Sequence, residues 1–350
     1  MYVFFLYIKI NYEYIELIKK KKRFFNYIDV MTNSINDILY NAIFYTKNDN
    51  PENRRKIQYQ KIENTFVNHI EGYFTNSRNM KLYYQIFLPK KTIPIAKIVY
   101  AHGYATNNSY WGKEFALKFA KNNFLVFMID YEGHGKSDGL WAYIENFSTI
   151  ITDLHDYIKT IVNLQYVNLK TFVIGDSMGG AVAINLLRKY PDISSGCILI
   201  APMIKISDDA KPHKMIHNFL IWLCNYIPTW PIVPNNTQPH SGFHPLLSRT
   251  TIYSNPLLYN KRPRLQTALQ LYNTSCEIEN NLETITFPFF IIHGKLDNLT
   301  DCEHSNILYH KSQSLDKKIK IYEEGYHCLL EGPFKEAIYN DFFNWLKLRS

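Results

Sequence analysis

The chain has no cysteine pair spaced C-x-x-C, and its five cysteines (Cys197, Cys224, Cys276, Cys302 and Cys328) are odd in number and widely separated. That pattern argues against a disulfide scaffold and a zinc knuckle, and reduced thiols are the default reading. No H-E-x-x-H or comparable spacing occurs, so no metal ligand is assigned. No apolar run reaches the roughly 18 to 20 residues that a membrane span requires. The strongest terminal stretch, Val3 to Ile8, stops at Lys9, with no basic residue ahead of it and no small-residue cleavage site, which argues against a conventional signal peptide. There is no internal repeat. Charge of either sign is moderate: 39 Lys and Arg less 31 Asp and Glu give +8, with five positive charges together at Lys19 to Arg23. That is a local patch and not a nucleic-acid-binding surface.

What is present is a chain of 350 residues that are 46% hydrophobic and 20% charged, enough for a large core. Disordered, collagen-like and coiled-coil readings are disfavoured on that balance. Residues 1 to 64 lack a clean period and read as an amino-terminal extension, with Lys47 to Lys56 a polar, proline-containing linker. Within it, the aromatic residues and lysines of Tyr2 to Phe25 suit a segment lying on an anionic membrane surface, that is, peripheral membrane contact. A poorly ordered extension is the plainer alternative.

From residue 65, apolar runs of strand length alternate with helical patterns. The runs are Lys81 to Leu88, Ile98 to Ala101, Phe124 to Ile129, Phe172 to Ile174, Cys197 to Ile200, Phe287 to Ile292 and Ile319 to Tyr322. They read as buried parallel strands, with amphipathic helices over Tyr110 to Lys121 and Leu154 to Leu164. The alternation predicts an α/β fold with a mostly parallel, doubly wound sheet. Residues 65–202 and 287–350 form the body. The intervening 84 residues, 203–286, are too long for a bare loop and are expected to form an inserted helical cap.

The most informative segment is TFVIGDSMGGAVA at 171 to 183, a G-x-S-x-G motif running from a strand into a helix. Glycines at 175 and 179 permit a strained turn from which Ser177 projects its hydroxyl. Shifting the turn by one residue, to make Asp176 the nucleophile, would set Ile174 and Met178 where small residues are required. Asp176 is therefore expected to point away and to make a local hydrogen bond or ion pair. A serine nucleophile needs a histidine base and an acid to orient it. Asp297 follows the strand ending in HGKLD and His327 lies beyond the next strand, 120 and 30 residues further along in the order serine, acid, histidine. Asp301 and Glu303 read as helix-start residues, and Glu323 and Glu324 come from the histidine's own strand end. The backbone N–H groups of Tyr104, after His102-Gly103, and of Met178 are the candidate oxyanion donors.

These residues together resemble the α/β-hydrolase superfamily, and within it the monoacylglycerol lipase and lysophospholipase group, including the lysophospholipase-like proteins of malaria parasites. The resemblance is carried by GDSMGGAVA at 175 to 183, HG at 102 and 103, DYEGHGKSDG at 130 to 139, HGKLD at 293 to 297 and GYHCLLEGP at 325 to 333. It covers roughly residues 65 to 347. It implies the α/β-hydrolase fold and ester hydrolysis of single-chain lipids, without a cofactor. Relatives usually carry histidine in place of Asp176 and often a small residue in place of Tyr104. Asp130, Gly133, His134, Gly135 and Ser137 match a family turn and read as structural support.

The leading expectation is a serine esterase acting on a monoacylglycerol or lysophospholipid, at work in the cytoplasm or at a membrane surface, with export left open. The same triad serves thioesterases, peptidases and acyltransferases. A membrane-surface or partner-binding module on an inactive scaffold is the non-enzymatic alternative. In the cap, Met215 to Pro234 concentrates two tryptophans and many aliphatic residues. A helix there would set an apolar wall above Ser177, with Leu220 and Trp222 as the candidate substrate-binding residues.

Overall fold

Strands buried at every residue must be covered on both faces, and the chain supplies such strands at 96–101, 124–129, 197–200 and 289–294. The computed structural model describes residues 39–58, 66–110, 112–205, 213–234, 242–245 and 254–350. The segment Tyr2 to Phe25, read as a membrane-contact candidate, lies outside these residues. Among the described residues one sheet contains β1 (Val67–Thr75), β2 (Lys81–Pro89), β3 (Ala96–Ala101), β4 (Phe124–Ile129), β5 (Thr171–Asp176), β6 (Cys197–Ile200), β7 (Phe289–Gly294) and β8 (Lys317–Tyr322). Their order is β1-β2-β4-β3-β5-β6-β7-β8. All pairings from β4 to β8 are parallel, so these strands end on one edge of the sheet.

Alternation along each strand divides the core in two. Ile98, Val126, Ile174 and Ile292 pack with Phe115 and Phe119 of α2 (Gly112–Lys121) and Ile338, Tyr339 and Phe342 of α8 (Lys335–Lys347). Val99, Phe127, Val173 and Ile291 pack on the other face with α3 (Phe147–Tyr157) and α4 (Met178–Lys189). The sheet is thus doubly wound, as the pattern predicts. Two details differ from the sequence expectation. The run beginning at Lys81 is antiparallel to both of its neighbours, and the additional strand β1 precedes it. The helix expected from Leu154 begins earlier, where the Asn146 side chain accepts from the Ser148 N–H at 2.9 Å and caps its first turn.

Between β6 and β7 the described residues include α5 (Lys214–Cys224) and α6 (Leu265–Glu279). Polar contacts hold α6 to the body: Thr267 Oγ1 accepts from the Ile144 N–H and Gln270 Oε1 from the Phe147 N–H, both at 2.9 Å. α5 rests on α6, with the rings of His217 and Tyr272 4.8 Å apart. Among the described residues no helix is long and apolar enough to cross a membrane.

Lys47 to Lys56 is not a linker, and here the structure corrects the sequence reading. It forms a short turn followed by α1 (Pro51–Arg55), and it is clamped to the body by two fully buried arginines. Arg54 donates to the carbonyls of Asn48, Gly135, Ser137 and Gly139 at 2.6 to 2.9 Å. Arg264, at the start of α6, donates to Asp49 at 2.6 Å, to the Tyr40 hydroxyl at 2.7 Å, and to the carbonyls of Trp141 and Thr229 at 2.7 Å. The polar composition that resembles a solvated spacer is that of a hydrogen-bonded strap joining the body to the base of α6. Removing one partner of a buried ion pair leaves the other uncompensated, so Asp49→Ala is expected to cost about 3–5 kcal/mol of stability. A denaturant midpoint like that of the unaltered chain would show that Asp49 does not hold the strap.

Candidate active site

The turn at Ser177 is set by close backbone packing. A Cβ at Gly179 would lie 1.9 Å from the Ala101 carbonyl oxygen, and one at Gly175 would lie 2.3 Å from that of Gly179. Only glycine fits at either position. Ser177 itself takes φ +56° and ψ −115°, a strained conformation for a residue with a side chain. Its N–H donates to the Ile200 carbonyl and its carbonyl accepts from the Met203 N–H, both at 2.9 Å, which fixes the turn against the end of β6. Met178 then opens α4, so its N–H points along the positive end of that helix.

Asp297 and His327 meet on the two neighbouring loops. His327 Nδ1 lies 2.7 Å from Asp297 Oδ2, and both side chains are enclosed. Burial alone would raise the Asp297 pKa, but the charge of His327 and the hydrogen bonds from His327 and His293 hold it well below the usual carboxylate range. Burial would lower that of His327, yet Asp297 and, more weakly, Asp176 pull it above its ordinary value. With Nδ1 committed to Asp297, the Nε2 lone pair of neutral His327 is the one left to act as a base.

The competing carboxylates lie elsewhere. Asp301 caps α7 (Cys302–Lys311), accepting from the Glu303 N–H at 2.9 Å, as the sequence predicts. Glu323 and Glu324 are exposed. Asp176 turns to the Tyr100 hydroxyl, which donates to it at 3.3 Å. Burial pushes its carboxyl up to about 6, against the opposing pull of the His327 charge and the Tyr100 bond.

The loop after β3 reaches the same edge. A Cβ on Gly103 would stand 3.3 Å from that of Ser177. His102 orients this loop: its Nε2 accepts from the Tyr131 N–H at 3.1 Å, so the ring hydrogen is on Nδ1 and is donated to the Gly103 carbonyl at 2.8 Å. Burial keeps this imidazole neutral by lowering its pKa well below the ordinary value. Because the peptide is planar and trans, fixing the Gly103 carbonyl also fixes the Tyr104 N–H, which points the opposite way. The Tyr104 ring packs with Trp141, Ala142 and Tyr259, and its hydroxyl donates to the Ala142 carbonyl at 3.3 Å. The family turn does the structural work expected of it. Asp130 accepts from the N–H groups of Asn108 at 2.7 Å and Lys136 at 3.0 Å, and the Ser137 hydroxyl donates to its carbonyl at 2.5 Å.

Ser177, Asp297, His327, Tyr104 and Met178 therefore share one edge of the sheet. The cap candidates differ from one another. Leu220 is half-buried, whereas Trp222 is 53% exposed and stacks on Phe219, with ring centroids 5.8 Å apart. Trp222 is thus open to the surroundings, as are Met215, Ile216, Phe219 and Ile221 of the same helix. The sequence reading passed over His293 and Thr300, both of which touch Asp297. The histidine of HGKLD was the available signal for the first, and a lone threonine offers none.

Residues 92–333 match the hydrolase family described as serine aminopeptidase, S33. The chain belongs to this family. It is an α/β-hydrolase of the monoacylglycerol-lipase-like group and a carboxylic ester hydrolase. The caffeoylshikimate esterase of Arabidopsis thaliana is 30% identical over 288 residues, which are 80% of this chain and 86% of that one. The monoglyceride lipase of Rattus norvegicus is 29% identical over 259 residues, 73% of this chain and 83% of the lipase. Among solved structures, a soluble variant of monoglyceride lipase from Saccharomyces cerevisiae, in complex with a substrate analogue, shares the fold. It superposes with a TM-score of 0.68 at 17% identity, covering 83% of this chain and 98% of that one.

Proposed function

We propose that the protein hydrolyses the acyl ester of a single-chain lipid, a monoacylglycerol or lysophospholipid, through Ser177, His327 and Asp297. The observation that carries this reading is the 2.7 Å contact between His327 Nδ1 and Asp297 at the sheet edge where the strained Ser177 turn projects. His327 Nε2 takes the Ser177 proton as the hydroxyl oxygen attacks the ester carbonyl. The oxyanion receives the N–H groups of Tyr104 and Met178. Collapse of the tetrahedral intermediate breaks the ester C–O bond, and His327 returns the proton to the departing alcohol. Water, deprotonated by the same imidazole, then releases the fatty acid from the acyl-serine.

The lipid assignment draws on the monoglyceride lipases among the relatives and on the apolar character of α5. Met215, Ile216, Phe219 and Trp222 are each more than half exposed, an arrangement suited to receiving an acyl chain from a lipid phase. Polar substitution at Leu220 or Trp222, with the fold preserved, is expected to weaken hydrolysis of a long-chain monoacyl lipid about tenfold more than that of a butyryl ester, the equivalent of burying two methylenes. Equal losses on the two esters would remove the cap from the acyl-chain site. The matched family's description as an aminopeptidase keeps one further comparison open: faster cleavage of an amino-acid amide than of any lipid ester would replace the lipid reading.

A further inference from the structure

Asp297 carries more donors than His327 requires. Its Oδ1 accepts from the N–H groups of Leu299 at 2.8 Å and Thr300 at 3.0 Å. Its Oδ2 is shared by two imidazoles, His327 at 2.7 Å and His293 at 3.0 Å, together with the Thr300 hydroxyl at 2.8 Å. His293 sits on β7 with no exposed surface. The oxygens nearest its Nε2 are Asp297 Oδ2 and the Thr300 carbonyl at 2.9 Å, neither of which has a hydrogen to give, and the Thr300 hydroxyl, 3.5 Å away, has Asp297 Oδ2 and the Ala201 carbonyl as nearer acceptors, so this nitrogen bears a hydrogen. Its Nδ1 meets the Ser305 hydroxyl of α7 at 2.7 Å.

We infer that His293 is a positioning residue: its Nε2–H holds Asp297 Oδ2 in place for His327 and offsets part of the carboxylate's charge on that base. This rests on the reading of Ser177, His327 and Asp297 given above. Two carboxylates, Asp297 from the loop after β7 and Asp176 from the end of β5, favour the protonated form of His327. A base held too firmly in that form is unavailable near neutral pH. The N–H dipole of His293 opposes this by drawing charge from the oxygen that His327 faces. The other ionisable groups around the pair are Cys328 beside His327 and Cys302 at the start of α7, both of which see the charge of Asp297.

The test compares two amides at position 293. A glutamine places its NH2 where Nε2 lies and still reaches Asp297. An asparagine reaches only as far as Nδ1, keeping Ser305 and losing Asp297. With a water-soluble short ester, His293→Asn is expected to lower kcat about tenfold with KM little changed, the loss of one hydrogen bond to a charged group. Its acidic limb of kcat against pH should move upward by about half a unit to one unit. His293→Gln should keep both near the wild-type values. If the two variants share the wild-type limb, or lose activity alike without moving it, His293 is only a packing residue and the inference fails. Should the asparagine variant not fold, the wild-type proton spectrum decides: two of its downfield imidazole N–H resonances are expected to be displaced in Asp297→Asn, and displacement of a single one overturns the assignment. Asp297→Asn also separates the two levels of the argument, since full activity in that variant would overturn the triad reading itself, whatever His293 does.

Discussion

Ser177→Ala is expected to abolish ester turnover, by about a millionfold, while leaving the fold intact, because loss of a triad nucleophile removes the covalent route altogether. The substitution deletes one oxygen and retains a Cβ at the same strained φ of +56°, so the turn is under no new stress. The backbone bonds that fix it, from the Ser177 N–H to Ile200 and from Met203 to the Ser177 carbonyl, are untouched. Labelling by a fluorophosphonate, which reacts with an activated serine, should disappear in the same variant. This single result also separates the enzymatic reading from that of a binding module on an inactive scaffold, since a module neither labels nor turns over. Near wild-type hydrolysis by the alanine variant would refute the mechanism.

The parts of the site that were legible in sequence are those whose chemistry constrains the backbone. Gly175 and Gly179 stand out because no side chain fits between Gly175 and the first turn of α4, or between Gly179 and the end of β3. Asp297 and His327 could be found because each lies on the loop beyond a strand rich in isoleucine, and the carboxyl ends of parallel strands share one edge. What escaped notice depends on partners far away in the chain. β1 is exposed or half-buried at every position but Val67 and carries His69 and Glu71, so it has none of the apolar continuity of the central strands. Nothing local in Lys47 to Lys56 reveals that Asp49 will meet an arginine 215 residues later. His293 and Thr300 lie within eight residues of each other, but their shared contact with Asp297 exists only once the loop has folded back on the strand end. The exposure of Trp222 was not legible either: apolar character places a side chain against something apolar, and composition does not say whether that is the body or the surroundings.

Asp297→Asn is expected to reduce kcat by roughly ten-thousandfold, a loss smaller than that of the serine but larger than any substitution outside the triad. The carboxylate accepts the Nδ1 hydrogen of His327, and that bond leaves Nε2 as the basic nitrogen of the ring. An asparagine can present its NH2 to the same ring nitrogen, which favours the opposite tautomer and places the hydrogen on Nε2, where it blocks proton transfer. The charge matters as well. Asp297 raises the affinity of His327 for its proton, so its neutralisation should move the acidic limb of the residual activity to lower pH, the reverse of the shift expected on removing the His293 bond. Asp301→Asn provides the comparison. Asparagine caps a helix as well as aspartate does, and Asp301 spends its side chain on the Glu303 N–H at the start of α7, so that variant should retain nearly full activity. If Asp301→Asn proved the more damaging of the two, the acid would have to be reassigned, and the 2.7 Å contact between Asp297 and His327 would then be a structural ion pair beside a different catalytic arrangement.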